Sequence, residues 1–207
     1  VVTDRTIDSH IKNLRRKLTQ LGCDIRFGHR LEALHHDASV LTGVTVRGGD
    51  GTYHLPCHRL VLALGHSARD TVEALYGCGL HMEAKPFAVG VRIEHRQSAI
   101  DAVQYKKFAG HPALGAATYK LACHLPNGRS AFSFCVCPGG QVVAAASETG
   151  RLVTNGMSEF ARDKENINGA LLVNVTPEDF GGDKHPLAGI TFQRRLEEAA
   201  FALGGSN

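Results

Sequence analysis

The run Leu60-Val61-Leu62-Ala63-Leu64, closed by Gly65, constrains the fold more than any other stretch of this chain. It is apolar without alternation, so a strand made from it has no solvent-facing side and fits a central position covered on both faces. Sheets of that kind carry helices on their faces, which predicts an α/β layer here over residues 58–65. A glycine at the carboxyl end of such a strand lets a ligand approach the backbone, where open α/β sheets bind ligands. Gly65, His66 and Ser67 are therefore the first candidate cofactor contacts. The same glycine also serves a plain strand-to-helix turn, and spacing alone does not separate the two roles.

The flanking segments fill in the plan. Ile7, Ile11, Leu14, Leu18 and Leu21 recur at helical spacing and Gly22 stands where a helix C-cap belongs, predicting a helix over 7–21. Short strands are predicted over 24–27, 41–46 and 53–55, the last two joined by a hairpin turn at Gly48-Gly49-Asp50-Gly51. After Gly65, Ser67 or Asp70 is a candidate cap for a helix through Leu75 and Tyr76, stopped by Gly77 and Gly79. Beyond it the character changes. Strands over 87–93, 119–124, 130–137, 142–147 and 171–175, separated by Gly, Pro and Asn turns, predict an antiparallel sheet, with helices over 97–104 and 189–203. The expected fold is mixed α/β, with a domain change near Ser67.

Composition narrows the function classes. A hydrophobic fraction of 43% over 207 residues supports a real core, and a net charge of +3 gives no general pull toward nucleic acid. No run approaches the roughly 20 apolar residues that span a bilayer, and residues 1–5 are no leader sequence, so the expected location is cytoplasmic, with no membrane partner. Six scattered cysteines in a chain of this size predict free thiols rather than a disulfide framework. Cys135-Val136-Cys137 sets two thiols on one strand face, which permits metal or redox chemistry, but small buried hydrophobes are the favoured reading and no metal is expected. Among twelve histidines only His66, His95, His111 and His185 stand in or beside informative motifs. Lys85 and Arg92 could draw an anion, although ion pairing with Glu83 or Glu94 is the plainer role, and no general base is singled out.

Residues 61–70 (VLALGHSARD), 82–87 (MEAKPF), 90–95 (GVRIEH), 137–140 (CPGG), 153–158 (VTNGMS) and 186–189 (PLAG) together resemble a family of uncharacterised FAD-dependent dehydrogenases, the NAD/FAD-utilising oxidoreductases. The likeness runs from about Leu21 to the last residue. It implies that residues 1–66 finish a Rossmann-like FAD-binding domain and that 67–207 form a β-rich second domain facing a small-molecule substrate. FAD is the implied cofactor, NAD(P) an open second, and electron or hydride transfer through flavin the implied chemistry. Pro138, Gly139 and Gly140 are implied to turn tightly beside flavin or substrate. The family's G-x-G-x-x-G turn and its closing C-terminal segment do not occur here, so both ends look cut and the chain is expected to need those segments of the same fold as partners. Alone it is expected to be inactive and poor at retaining FAD.

The first eighteen residues also resemble the recognition helix of winged-helix response regulators, with Lys12, Arg15, Arg16 and Lys17 as the basic face. A nucleic-acid-binding module is the competing function, and a non-catalytic interaction fragment the third. One helix without its wing is not a DNA-binding domain, so nucleic acid is not the expected partner.

Overall fold

A computed structural model describes residues 4–205, with side chains from residue 9 onward, and divides the chain into two compact units at Met82/Glu83. In the first unit the predicted amphipathic helix is present as α1 (Asp4–Gln20). Gly22, at φ 79°, ends it in the left-handed conformation, and the Cys23 N–H reaches back to the Leu18 carbonyl at 2.9 Å. That is the helix-ending motif that favours glycine, because a Cβ there costs energy. Residues 24–27 form no strand, contrary to expectation: Arg26 instead turns to the Asp24 carboxylate and the Tyr53 hydroxyl. A meander follows, built from β1 (Arg30–Asp37), β2 (Val40–Gly48) and β3 (Gly51–Pro56), all antiparallel. Gly48 faces Gly51 across the predicted two-residue loop. Helix α2 (Arg69–Gly77) packs on β1, with Ala68 at its N-cap and no side-chain cap, so neither Ser67 nor Asp70 plays that part.

The apolar run is the main correction. Residues 57–68 carry no strand, and Val61 is 89% exposed, with Leu60, Leu62 and Leu64 also exposed. A central strand is defined by neighbours that accept its ladder hydrogen bonds and cover its faces. The only sheet of this unit among the described residues is the three-stranded antiparallel meander, and it takes no strand from this run. The fold class is accordingly mixed α/β with antiparallel sheets, and the described residues show no parallel pair of a Rossmann-like layer.

The second unit holds the predicted antiparallel sheet. Its elements are β4 (Phe87–Arg96), α3 (Gln97–Tyr105), β5 (Ala122–His124), β6 (Ser130–Ala144), β7 (Thr154–Ser158), β8 (Asn166–Val175), α4 (Pro177–Phe180) and α5 (Ala188–Leu203). The strand order is β4-β8-β6-β5, with β7 on the far half of β6. Two strands read separately, 130–137 and 142–147, are largely one fifteen-residue strand. At Gly90 a Cβ would stand 1.9 Å from the Leu171 carbonyl oxygen, so only glycine lets β4 lie this close to β8. Phe87, Phe180 and Phe192 stack at ring-centroid distances of 5.0 and 6.0 Å along the series Phe87–Phe180–Phe192, tying α4 and α5 to the start of β4. Offset aromatic contacts of this kind add to the area they bury.

An ion pair fixes the same end of β8. Arg129 donates to the Asn174 carbonyl at 2.8 Å and pairs with Asp179 at 2.5 Å, while Asp179 accepts from the Thr176 N–H and completes a capping box on α4. The Arg129 hydrogen bond, then the Thr176 N–H, hold the Asp179 carboxyl far below the ordinary carboxylate range. A folded-state pKa depressed below its unfolded value stabilises the fold above the unfolded value, about 4, and that contribution is lost as pH falls toward the folded value. Thermal melts taken downward from about pH 5 should therefore drop more steeply for the parent chain than for Asp179→Asn. Parallel acid limbs would refute the assignment.

Candidate functional site

The distinctive local geometry of the second unit is a double bulge in β6. From Phe134 to Cys137 three steps of β6 face two of β8, and from Cys137 to Gly140 the same happens again. Each bulge has one left-handed residue, Cys135 at φ 44° and Gly139 at φ 48°. Bulges bend a strand and re-aim side chains, and they gather beside functional sites. Left-handed backbone at a residue with a Cβ is strain that surrounding structure must hold, which makes Cys135 the more telling of the two.

Helix α3 begins where β4 ends and places Gln97 against the second bulge. The buried Gln97 side chain satisfies both its ends: Oε1 accepts the Gly139 N–H at 2.8 Å, and Nε2 donates to the Ala117 carbonyl at 2.9 Å and to Asp101 at 2.8 Å. The same Asp101 oxygen accepts the Ala117 N–H at 2.8 Å. Ser158 on β7 donates to the Pro138 carbonyl at 2.7 Å, and the Lys164 N–H donates to the Gly139 carbonyl at 3.3 Å. Buried networks that are fully satisfied define one arrangement of the backbone. Pro138, Gly139 and Gly140 are buried, and a Cβ on Gly139 would lie 1.8 Å from the Arg162 carbonyl oxygen, so the close approach made at this glycine is to Arg162.

Beside the turn opens a cavity of about 300 Å³, walled by Gln97, Asp101, Tyr105, His111, Arg162 and Lys164 among others. A space of that size holds a small molecule, and its polar walls offer two carboxylates, Asp101 and Asp163, two cations and an imidazole, with the Lys164 ammonium ion-paired to Glu159 at 3.0 Å. On the sheet side, Arg92 from β4 donates to the Asn168 side-chain oxygen at 2.7 Å and to the Cys135 carbonyl at 3.2 Å, with no carboxylate ion-paired to it among the described residues. Arg92 Nε, Asn168 Nδ2 and the Tyr119 hydroxyl are buried without hydrogen-bond partners. All three can donate, so the neighbourhood of Arg92 is short of acceptors. Burial raises the Tyr119 pKa, keeping that hydroxyl a donor, against the opposing charge of Arg92.

The sequence-predicted residues fall into two places. Pro138, Gly139 and Gly140 belong to this network in the second unit, and His111 lines its cavity. Gly65, His66 and Ser67 belong to the first unit, exposed, with Gly65 at φ 67° and no atom within 4 Å of its would-be Cβ. Among the other histidines, His95 makes an edge contact with Tyr119. Cys137 is buried and Cys135, left-handed within the first bulge, is exposed. Gln97, Asp101, Asn168 and Arg162 were missed. Of these only Gln97 carried a signal, as a polar residue at the start of the predicted helix, while Arg92 stood in a motif-like strand.

These residues do not build a whole FAD site. A dinucleotide needs a glycine turn opening a helix against its pyrophosphate, whereas Gly48, Gly49 and Gly51 sit in a hairpin and α2 starts from an exposed loop with one glycine. Among the described residues no helix is long and apolar enough to cross a membrane, and no three His, Cys, Asp or Glu side chains gather for a metal.

Residues 86–207 match the family described as "FAD-dependent protein, C-terminal domain-like". An uncharacterized protein of Clostridium beijerinckii is 50% identical over 198 residues, which is 95% of this chain and 36% of that protein. The chain thus spans about a third of the length of the curated relative it matches. With more than half of its residues under the family match, the chain belongs to the FAD-dependent proteins through this C-terminal domain-like region.

Proposed function

We propose that this chain is part of a longer FAD-dependent oxidoreductase, in which the second unit forms the wall against which a small-molecule substrate lies. The observation that carries this reading is the coincidence of the family match over 86–207 with a cavity and a buried polar turn built wholly from residues inside that span. When bound, FAD supplies electron or hydride transfer. This chain's part is to bind and orient substrate in the cavity, with Arg162 and His111 drawing an anionic group, Lys164 being held by Glu159 and Gln141, and Tyr105 offering a flat face. The glycine turn Pro138-Gly139-Gly140 holds Arg162 and Lys164 in place through its backbone contacts. Gly65, His66 and Ser67 are proposed as cofactor contacts, and the phosphate-binding turn is proposed to come from sequence outside this chain. NAD(P) has no role in this reading.

Flavin content tests it. The longer protein should purify with FAD, identified by mass after release, whose visible absorbance bleaches under an anaerobic reductant and returns in air. A longer protein that folds and never takes up flavin would overturn the proposal.

A further inference from the structure

The Cys135-Val136-Cys137 pair has no part in the substrate site described above, and its geometry is unlike that of ordinary core cysteines. In a regular strand residues two apart have Cα atoms about 6.6–6.8 Å from each other, at the outer limit for a disulfide. The first bulge of β6 spends three residues where β8 spends two, and Cys135 takes a left-handed turn within it. Both features depart from that regular-strand geometry. The Cys137 thiol lies 3.4 Å from the Cys135 carbonyl oxygen, folded back toward its neighbour.

The two thiols also differ as an exchanging pair must. Cys135 is exposed, open to a disulfide arriving from solvent, while Cys137 is 8% exposed and out of reach of such a substrate. Burial pushes the Cys137 thiol up, and the adjacent Cys135 thiol pushes in the same direction, so Cys137 is held as the thiol until its neighbour has reacted. The Arg92 guanidinium, bonded to the Cys135 carbonyl and lacking a carboxylate partner, opposes that rise and favours the Cys137 thiolate once its turn comes. Arg92 stands in the middle of the β4–β8 pairing, opposite Ala170 of β8.

We infer that Cys135 and Cys137 form a redox-active dithiol that reduces small disulfides, with Cys135 as the attacking thiol and Cys137 as the resolving thiol. The Cys135 thiolate attacks one sulfur of a disulfide R–S–S–R, the S–S bond breaks, and one R–S⁻ leaves, giving a mixed disulfide on Cys135. Cys137 then loses its proton to solvent, attacks the Cys135 sulfur and expels the second R–S⁻. Two thiols are oxidised to the Cys135–Cys137 bridge, one substrate disulfide is reduced to two thiols, and no other oxidant is needed. The exchange does not depend on flavin, so it stands or falls separately from the oxidoreductase reading.

The test uses the full chain, reduced and then treated with hydroxyethyl disulfide, followed by peptide mass mapping without reduction. Cys23 and Cys123 are also exposed, so mapping by peptide and not total thiol loss is the readout. The peptide holding both cysteines should appear two hydrogen masses light, bridged within itself and carrying no adduct. Cys137→Ser should stop at one hydroxyethylthio adduct on Cys135 and halve thiol release from this peptide. Cys135→Ser should leave Cys137 without adduct over the time in which the parent peptide is fully bridged, because a buried thiol is inert to a reagent in solvent. Stable adducts on Cys135 in the parent chain, bridging of either cysteine to a different partner, or no reaction at this peptide would each overturn the inference. If a serine variant fails to fold, mapping of the parent chain alone decides between bridge and adduct.

Discussion

Valine at position 139 is expected to unfold the second unit under conditions where the parent chain is folded. Gly139 sits at φ 48°, and even the first side-chain carbon would meet the Arg162 backbone, 1.8 Å from its oxygen and 2.2 Å from its carbonyl carbon. Left-handed backbone costs a residue with a Cβ about 1–2 kcal/mol before any collision. The collision is with backbone, which has no rotamer to yield, so relief requires moving β6 or the segment at Arg162. Either movement breaks the Gly139 N–H bond to Gln97 and the Lys164 N–H bond to the Gly139 carbonyl. Together these place Gly139→Val above about 4 kcal/mol, in the range that only a named structural collision reaches. Gly139→Ala should follow at slightly lower cost. Gly77→Ala, where open space surrounds the added carbon, should stay within about 0.5 kcal/mol. Urea midpoints measured on the three variants check the series, and a Gly139→Ala midpoint equal to the parent's would disprove the packing described for the turn. In the longer protein, Gly139→Val should also abolish flavin retention.

Gln97→Leu should be nearly as damaging, for a different reason. Its side chain is the shared partner of three groups, the Gly139 N–H, the Ala117 carbonyl and Asp101. Leucine preserves much of the volume and removes every one of those bonds. A buried polar group stranded in this way costs about 1–3 kcal/mol, so the loss of two backbone partners predicts about 3–5 kcal/mol. Gln97→Glu separates the contributions. It keeps an acceptor for Gly139 but loses the donor for Ala117 and sets a second carboxylate against Asp101, so it should destabilise more at neutral pH than in mild acid. Denaturation midpoints at two pH values read this out, and equal midpoints for Gln97→Leu and parent would remove Gln97 from the network.

Much of the second unit was legible because its signals are local. Strands β4 and β8 alternate and α3 and α5 follow helical periodicity, so β4, α3 and α5 lie within a few residues of their predicted places, while only the second half of β8 does. The Pro138-Gly139-Gly140 stretch was legible as a tight turn but not as the middle of a strand. What carries β6 through it is a pair of bulges whose partners, β8 and Gln97, lie 26 or more residues away in sequence. The burial of Gln97 was invisible for the same reason: a glutamine at a helix start reads as solvent-facing until Ala117 and Gly139 are brought to it. Leu60 to Leu64 misled in the opposite direction. The run carries the composition of a central strand, but composition names a preference for neighbours and does not supply them.

The central claim is that this chain carries one wall of a flavoprotein and does not hold the cofactor alone. The most direct measurement is a fluorescence titration of FAD with the 207-residue chain beside the same titration with the longer protein after its bound flavin has been removed. Saturable quenching with one FAD per longer protein, and none with the chain at equal concentration, is the predicted result. A folded longer protein that leaves FAD fluorescence unchanged, or tight stoichiometric binding by the chain itself, would contradict it.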